Sequence, residues 1–130
     1  MPSFGKKSKS KLDTVHSDIR RVMEIAIQHV DFTVIYGHRS KQEQDALYAE
    51  GGKTQVKFPN SKHNSLPARA IDIAPYPIDW ANHKRFTYLA GIIMGIAASE
   101  GVKMRWGGDW DMDNNPANET FWDAGHFELI

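Results

Sequence analysis

Three side chains, His63, Asp72 and His126, have the chemistry to hold a divalent metal, and Asp123 stands three residues ahead of the last of them. Two imidazoles and a carboxylate leave a fourth position open, which is the pattern of a catalytic zinc site with three protein ligands and a water. The chain has no cysteine, so zinc must be held here by nitrogen and oxygen, and thiolate chemistry is excluded. Asp72 is the most telling of the three. It lies inside Ala70-Ile71-Asp72-Ile73-Ala74, a run that reads as a short buried strand, and a buried carboxylate is expensive unless a cation, donors or a metal meets it. A bound metal would offset that burial.

Metal-assisted hydrolysis also needs a base within reach of the attacking water. Two carboxylates compete for the role. Asp123 falls on the turn before His126, and Glu128 shares a strand face with His126 by alternation. Glu128 has a second possible use, as the acceptor that orients the His126 imidazole. Arg39 sits where a strand hands over to a helix, a position from which a side chain can face a ligand.

These groups are far apart in the chain, so a scaffold must gather them. Ile19, Val22, Met23, Ala26, Ile27 and Val30 recur at helical spacing behind a cap at Ser17 or Asp18. Phe32 to Tyr36 is β-branched and aromatic and reads as a strand. Ser40 to Glu43 is a capping box that opens a second helix, with Ala46 and Leu47 toward the core, ending at Gly51-Gly52. Residues 52–60 and the Ser61–Ala68 segment read as loop. The apolar stripe Phe86, Leu89, Ala90, Ile93, Met94 and Ala97 marks a third helix, beginning near Asp79 or Asn82 and running to about Glu100. Val102 to Trp106 and Gly125 to Ile130 are the remaining strands, separated by a polar, turn-rich stretch over Asp111 to Thr120. Asp109, Asp111 and Asp113 alternate there without the glycine of a twelve-residue calcium loop, which argues against a dedicated calcium site. Residues 1–12, with Lys6, Lys7, Lys9 and Lys11 among small polar residues, are expected as a flexible basic tail, and residues 13–130 as one domain.

Composition narrows the function further. At 130 residues the chain suits a single core. Lys plus Arg equals Asp plus Glu, 16 of each, which disfavours a nucleic-acid partner. No apolar run approaches the roughly 20 residues of a membrane span. The N-terminus lacks the apolar core of a signal peptide, so the protein is expected to stay in the cytoplasm after synthesis and to reach any external substrate only on release.

Taken together, Ser61-x-His63, Ala70-x-Asp72 and Asp123-x-x-His126-x-Glu128 resemble the LAS group of zinc peptidases. That group includes D-alanyl-D-alanine carboxypeptidases and the L-alanyl-D-glutamate endopeptidases of phage endolysins. Arg39-Ser40 with Gln44, Leu47, Tyr48 and Gly51 is similar to the group's strand-to-helix motif, and Trp106-Gly107-Gly108-Asp109-Trp110 to its pre-terminal loop. The resemblance implies that His63, Asp72 and His126 bind Zn2+ and that Asp123 is the catalytic acid/base. It implies that Arg39 binds substrate or stabilises the developing oxyanion, and that Gln44 and Ser61 line the site. The spacing from His63 to Asp72 departs from the commoner family pattern: it is longer, with Leu66-Pro67 and no glycine in the gap.

The expectation is therefore an α+β domain, a small antiparallel sheet packed by about three helices with the zinc on the sheet. The function expected is hydrolysis of an amide bond in the peptidoglycan stem peptide by a monomer, in phage lysis. A D-alanyl-D-alanine carboxypeptidase, or a zinc-stabilised cell-wall-binding module without catalysis, is the alternative.

Overall fold

The computed structural model describes residues 2–51, 56–115, 117 and 122–130. Among these described residues, four helices and four strands follow in the order α1 (Lys6–Leu12), α2 (Ser17–Ala26), β1 (Phe32–Tyr36), α3 (Lys41–Glu50), β2 (Ala70–Pro75), α4 (His83–Ser99), β3 (Met104–Trp106) and β4 (His126–Leu129). The strands form one antiparallel sheet in the order β1-β2-β4-β3. This is the α+β architecture expected, with one helix more.

Strand alternation divides the sheet into two faces. Val34, Ile71, Ile73, Met104, Trp106, Phe127 and Leu129 belong to the core cluster. The same cluster takes Ile19, Val22, Met23 and Ala26 from α2, and Leu89, Ala90, Ile93 and Ala97 from α4. Each fully buried Ile, Val or Met side chain contributes about 1.5–3 kcal/mol. The opposite face carries Tyr36, Asp72, His126, Glu128 and Arg105. Register then brings the polar residues together, because Asp72 lies directly across from His126, Tyr36 from Asp72, and Arg105 from Glu128. Opposed residues in such pairs have Cβ atoms about 4.5–5.5 Å apart.

Several local readings are corrected. The segment expected as a flexible tail folds over Lys6–Leu12 as α1 and packs on β1, with Ser8 and Leu12 buried. Phe4 meets Phe32 edge-on at 5.3 Å, and the Ser8 hydroxyl accepts the Val34 N–H at 3.1 Å. That amide belongs to an edge strand, so the serine takes the place of a missing neighbour. The cap of α2 is His16, whose Nδ1 accepts the Asp18 N–H, rather than Ser17 or Asp18. The capping box at Ser40 and Glu43 forms as read. Its helix nevertheless lies on the surface: Ala46 is exposed, Leu47 half-buried, and the fully buried residue is Gln44. The expected loops over 52–60 and 111–120 include residues 52–55, 116 and 118–120, which lie outside the described residues.

A candidate metal centre on the open face of the sheet

His63 reaches the sheet from a loop pinned to the end of β1. The Arg39 N–H donates to the His63 carbonyl at 2.7 Å, and the Asn64 side-chain amide donates to the Arg39 carbonyl at 3.0 Å. The Ser61 hydroxyl accepts the His63 N–H at 3.2 Å. His63 Nδ1 then donates to the Gly37 carbonyl at 2.8 Å, which leaves the Nε2 lone pair facing Asp72 and His126. Gly37 is itself pressed against the end of α1, where a Cβ would sit 2.3 Å from the Lys11 carbonyl oxygen.

Three atoms converge at this point. His63 Nε2 and His126 Nδ1 are 3.4 Å apart, His63 Nε2 and Asp72 Oδ1 3.3 Å, and His126 Nδ1 and Asp72 Oδ1 2.9 Å. A tetrahedral zinc with bonds of about 2.0–2.1 Å spaces its ligand atoms by roughly 3.3–3.4 Å. Two separations match and the third is slightly contracted, so the donor set fits such an ion. The imidazole nitrogens turned away from the centre are both engaged, His63 Nδ1 with a carbonyl and His126 Nε2 with Glu128 Oε1 at 2.8 Å. Outer partners of this kind fix the tautomer and orientation of metal-binding histidines.

The cluster polarises itself. Burial disfavours charge on Asp72, but the neighbouring His63 and hydrogen bonds from His126 and His63 outweigh it and hold the carboxyl well below the usual range. Burial also works against a charged His126. Hydrogen bonds to Asp72 and Glu128, with the charges of Asp72 and Asp123, overcome that and push its pKa up to about 10. Glu128 is buried too, yet His126, Arg105 and Lys62 bring it down to about 2. Arg105 donates to Glu128 Oε2 at 2.7 Å and Lys62 Nζ lies 3.1 Å from the same oxygen.

Asp123 stands apart from this network. Among the described residues no hydrogen-bond donor reaches its carboxylate. Burial raises its pKa and the charge of Asp72 raises it further, against the opposing pull of His126, His63 and Arg39. Its backbone is fixed by a bond from its N–H to the Gly107 carbonyl at 2.9 Å. Gly107 has to be glycine, because a Cβ there would lie 2.1 Å from the Asp123 carbonyl oxygen.

Arg39 is only 5% exposed. Its guanidinium donates to Asp72 Oδ2 at 2.9 Å and to Gln44 Oε1 at 2.9 Å, lies 4.5 Å above the Tyr36 ring, and keeps Nε buried without a partner. Gln44, at 0% exposure, bonds to the Arg39 guanidinium and is anchored by its amide to the Val56 carbonyl at 2.7 Å. Ser61 is half-buried and holds the His63 backbone.

Four neighbours of the centre were not singled out from sequence. Tyr36 lies beside His63 with ring centroids 6.5 Å apart, and Trp110 lies beside His126 at 5.4 Å. Lys62 and Arg105 fasten Glu128. Adjacency to His63 was the available signal for Lys62, and the strand pairing of residue 105 with 128 shows only in the fold. The carboxylates of Asp109, Asp111 and Asp113 also approach one another, and each accepts a backbone N–H from its own loop.

Comparison with known proteins places this geometry. A family model described as phage L-alanyl-D-glutamate peptidase matches residues 2–130. The L-alanyl-D-glutamate peptidase of Escherichia phage T5 is 32% identical over 135 residues, covering 98% of this chain and 97% of that protein. The crystal structure of the Serratia marcescens L-Ala D-Glu endopeptidase ChiX superposes with a TM-score of 0.75 at 28% identity, covering 98% of this chain and 89% of the other.

Proposed function

The chain belongs to the phage L-alanyl-D-glutamate peptidase family, and from that premise we propose that it cuts peptidoglycan with a zinc ion held by His63, Asp72 and His126. It is a peptidoglycan hydrolase of the L-alanyl-D-glutamate type. The observation that carries the zinc reading is the set of three ligand-atom separations, 2.9 to 3.4 Å, with both outward imidazole nitrogens already engaged.

When bound, the ion acidifies a water and polarises the scissile carbonyl. The chain's own residues do the rest. Glu128 holds His126 in the tautomer that presents Nδ1, and the Gly37 carbonyl does the same for His63 Nε2. Asp123 carries the proton, taking it from the attacking water and passing it to the leaving amine. Its carboxylate, which no donor among the described residues reaches, and its weakened acidity suit that task. Arg39 orients Asp72 through Oδ2, and its positive charge beside the centre stabilises an oxygen on which negative charge develops. Gln44 keeps the guanidinium in place, and Ser61 keeps the His63 loop in place.

Among the described residues no helix is long and apolar enough to cross a membrane, consistent with an enzyme that acts on the wall after release.

Digestion of purified peptidoglycan with mass spectrometry of the products tests the reading. New N-termini on D-Glu are expected from the zinc-loaded protein and are expected to vanish with a chelator or with Asp123→Ala. Release of terminal D-Ala alone would replace it with a carboxypeptidase. An intact wall with retained binding would replace it with a non-catalytic module.

A further inference from the structure

Beyond β2 the chain forms a strap, residues 76–82, that carries Tyr76, Ile78 and Trp80 at 58%, 42% and 60% exposure. The backbone of the strap is tied down. Arg85 donates to the Pro77 carbonyl at 2.6 Å and to the Tyr76 carbonyl at 2.9 Å. The Tyr76 N–H donates to the Asp31 carbonyl at 3.2 Å, and the Ala81 N–H to Asp79 Oδ1 at 3.2 Å. Trp80 stacks on Phe86, with centroids 5.6 Å apart and planes 23° apart. One indole face is thereby fixed on the core and the other is held toward solvent. Tyr76, Ile78 and Trp80 thus place three large exposed apolar side chains within five residues, and a concentration of exposed apolar surface marks a binding site.

The strap also starts from the catalytic face. Alternation from Asp72 through Ala74 puts Tyr76 on the same side of the sheet, and the Asp31 bond carries the strand register one residue past Pro75. Tyr76 thus follows Asp72 by about 13 Å along the chain.

That distance has a chemical counterpart in the substrate. The L-Ala–D-Glu bond is the first peptide bond of the stem, and its L-Ala is joined through a lactyl group to a sugar of the glycan. With roughly 3.5 Å of reach per residue, the first pyranose ring begins about 7 Å from the cleaved bond and the strand continues from there. Pyranose rings present C–H faces that pack on the electron-rich face of an aromatic ring while their hydroxyl rims stay in water. We propose that the strap of Tyr76, Ile78 and Trp80 is a docking platform for the glycan strand of peptidoglycan, with sugar rings laid on the free faces of Trp80 and Tyr76. The proposal rests on cleavage of the L-Ala–D-Glu bond at the centre described above.

The test compares two substrates with the same scissile bond, an N-acetylated stem peptide without sugar and intact sacculi. Trp80→Ala and Tyr76→Ala are expected to lower kcat/KM on sacculi by about tenfold and to leave the sugar-free peptide within about twofold of wild type. Trp80→Phe, which keeps a ring on Phe86, is expected to retain most of the sacculus activity. Glycan strands stripped of stem peptides are expected to co-sediment with wild type and not with Trp80→Ala. Equal losses on both substrates, no loss on either, or retention on anionic phospholipid vesicles in place of glycan would overturn the platform. A wild type that cuts neither substrate would overturn the peptidase reading, while the stripped-glycan measurement would still decide the platform.

Discussion

His126 Nε2 and Glu128 Oε1 are bonded at 2.8 Å although the two residues are next-but-one neighbours on the same strand. Both side chains project from one face of β4, so the strand itself carries a candidate ligand together with the carboxylate that orients it. Arg105, opposite Glu128 on β3, and Lys62, beside His63, hold that carboxylate from two other segments.

Weakening this support is expected to show in metal affinity before it shows in fold. Glu128→Gln keeps an amide oxygen near His126 but removes the charge, and competition against a chelator should reveal about a 10- to 100-fold loss of zinc affinity. An unchanged affinity would mean that Glu128 serves only the packing of Lys62 and Arg105.

Asp123→Asn should separate binding from chemistry. Turnover is expected to fall by about 10²–10⁴-fold, with zinc affinity and Tm held near wild type, because no described residue depends on its carboxylate for a hydrogen bond. A matching loss of zinc affinity would recast Asp123 as a structural partner of the ligands.

Gly107→Ala places a methyl 2.1 Å from the Asp123 carbonyl oxygen, and neither backbone can yield without moving the other. A displacement of about 1 Å in a catalytic group can cost about 100-fold in rate. The variant should therefore lose far more turnover than zinc affinity; wild-type kinetics would show that the Asp123 turn adapts freely.

The metal-free protein should have a characteristic pH profile. The Glu128 carboxyl is held near 2 against an ordinary 4.5, so its contribution to stability is present above 4.5 and disappears as pH falls toward 2. His126 is held near 10 against an ordinary 6.5, so its contribution is complete below 6.5 and disappears as pH rises toward 10. Tm measured without metal should accordingly decline on both sides of that window, and Glu128→Gln should flatten both limbs. Zinc must displace a proton from His126, so apparent zinc affinity should climb as pH rises toward about 10.

The candidate ligands were legible in the sequence because they break its local rules. An aspartate in the middle of an apolar strand demands a partner, and two histidines in otherwise unrelated segments supply one. The resemblance then singled out Asp123, a choice that residue types alone left open against Glu128. Other parts were hidden by the same logic. Seven lysine-rich residues are too short to nucleate a helix alone, and α1 exists only because Phe4, Ser8 and Leu12 find β1. Binary patterning assigned Ala46 and Leu47 to the core, yet the buried residue of α3 is Gln44, whose partner Arg39 binds Asp72, a residue far along the chain. Arg105 and Lys62 look like ordinary surface cations until strand pairing sets them against Glu128.

The Ser8 hydroxyl on the Val34 amide has a meaning for the handling of this protein in solution. Exposed strand edges are templates for pairing with another chain, and proteins commonly cover them. Here the cover is made by the first dozen residues. Trimming them would uncover an adhesive seam on β1, and concentrated preparations of the shortened chain would clump edge to edge.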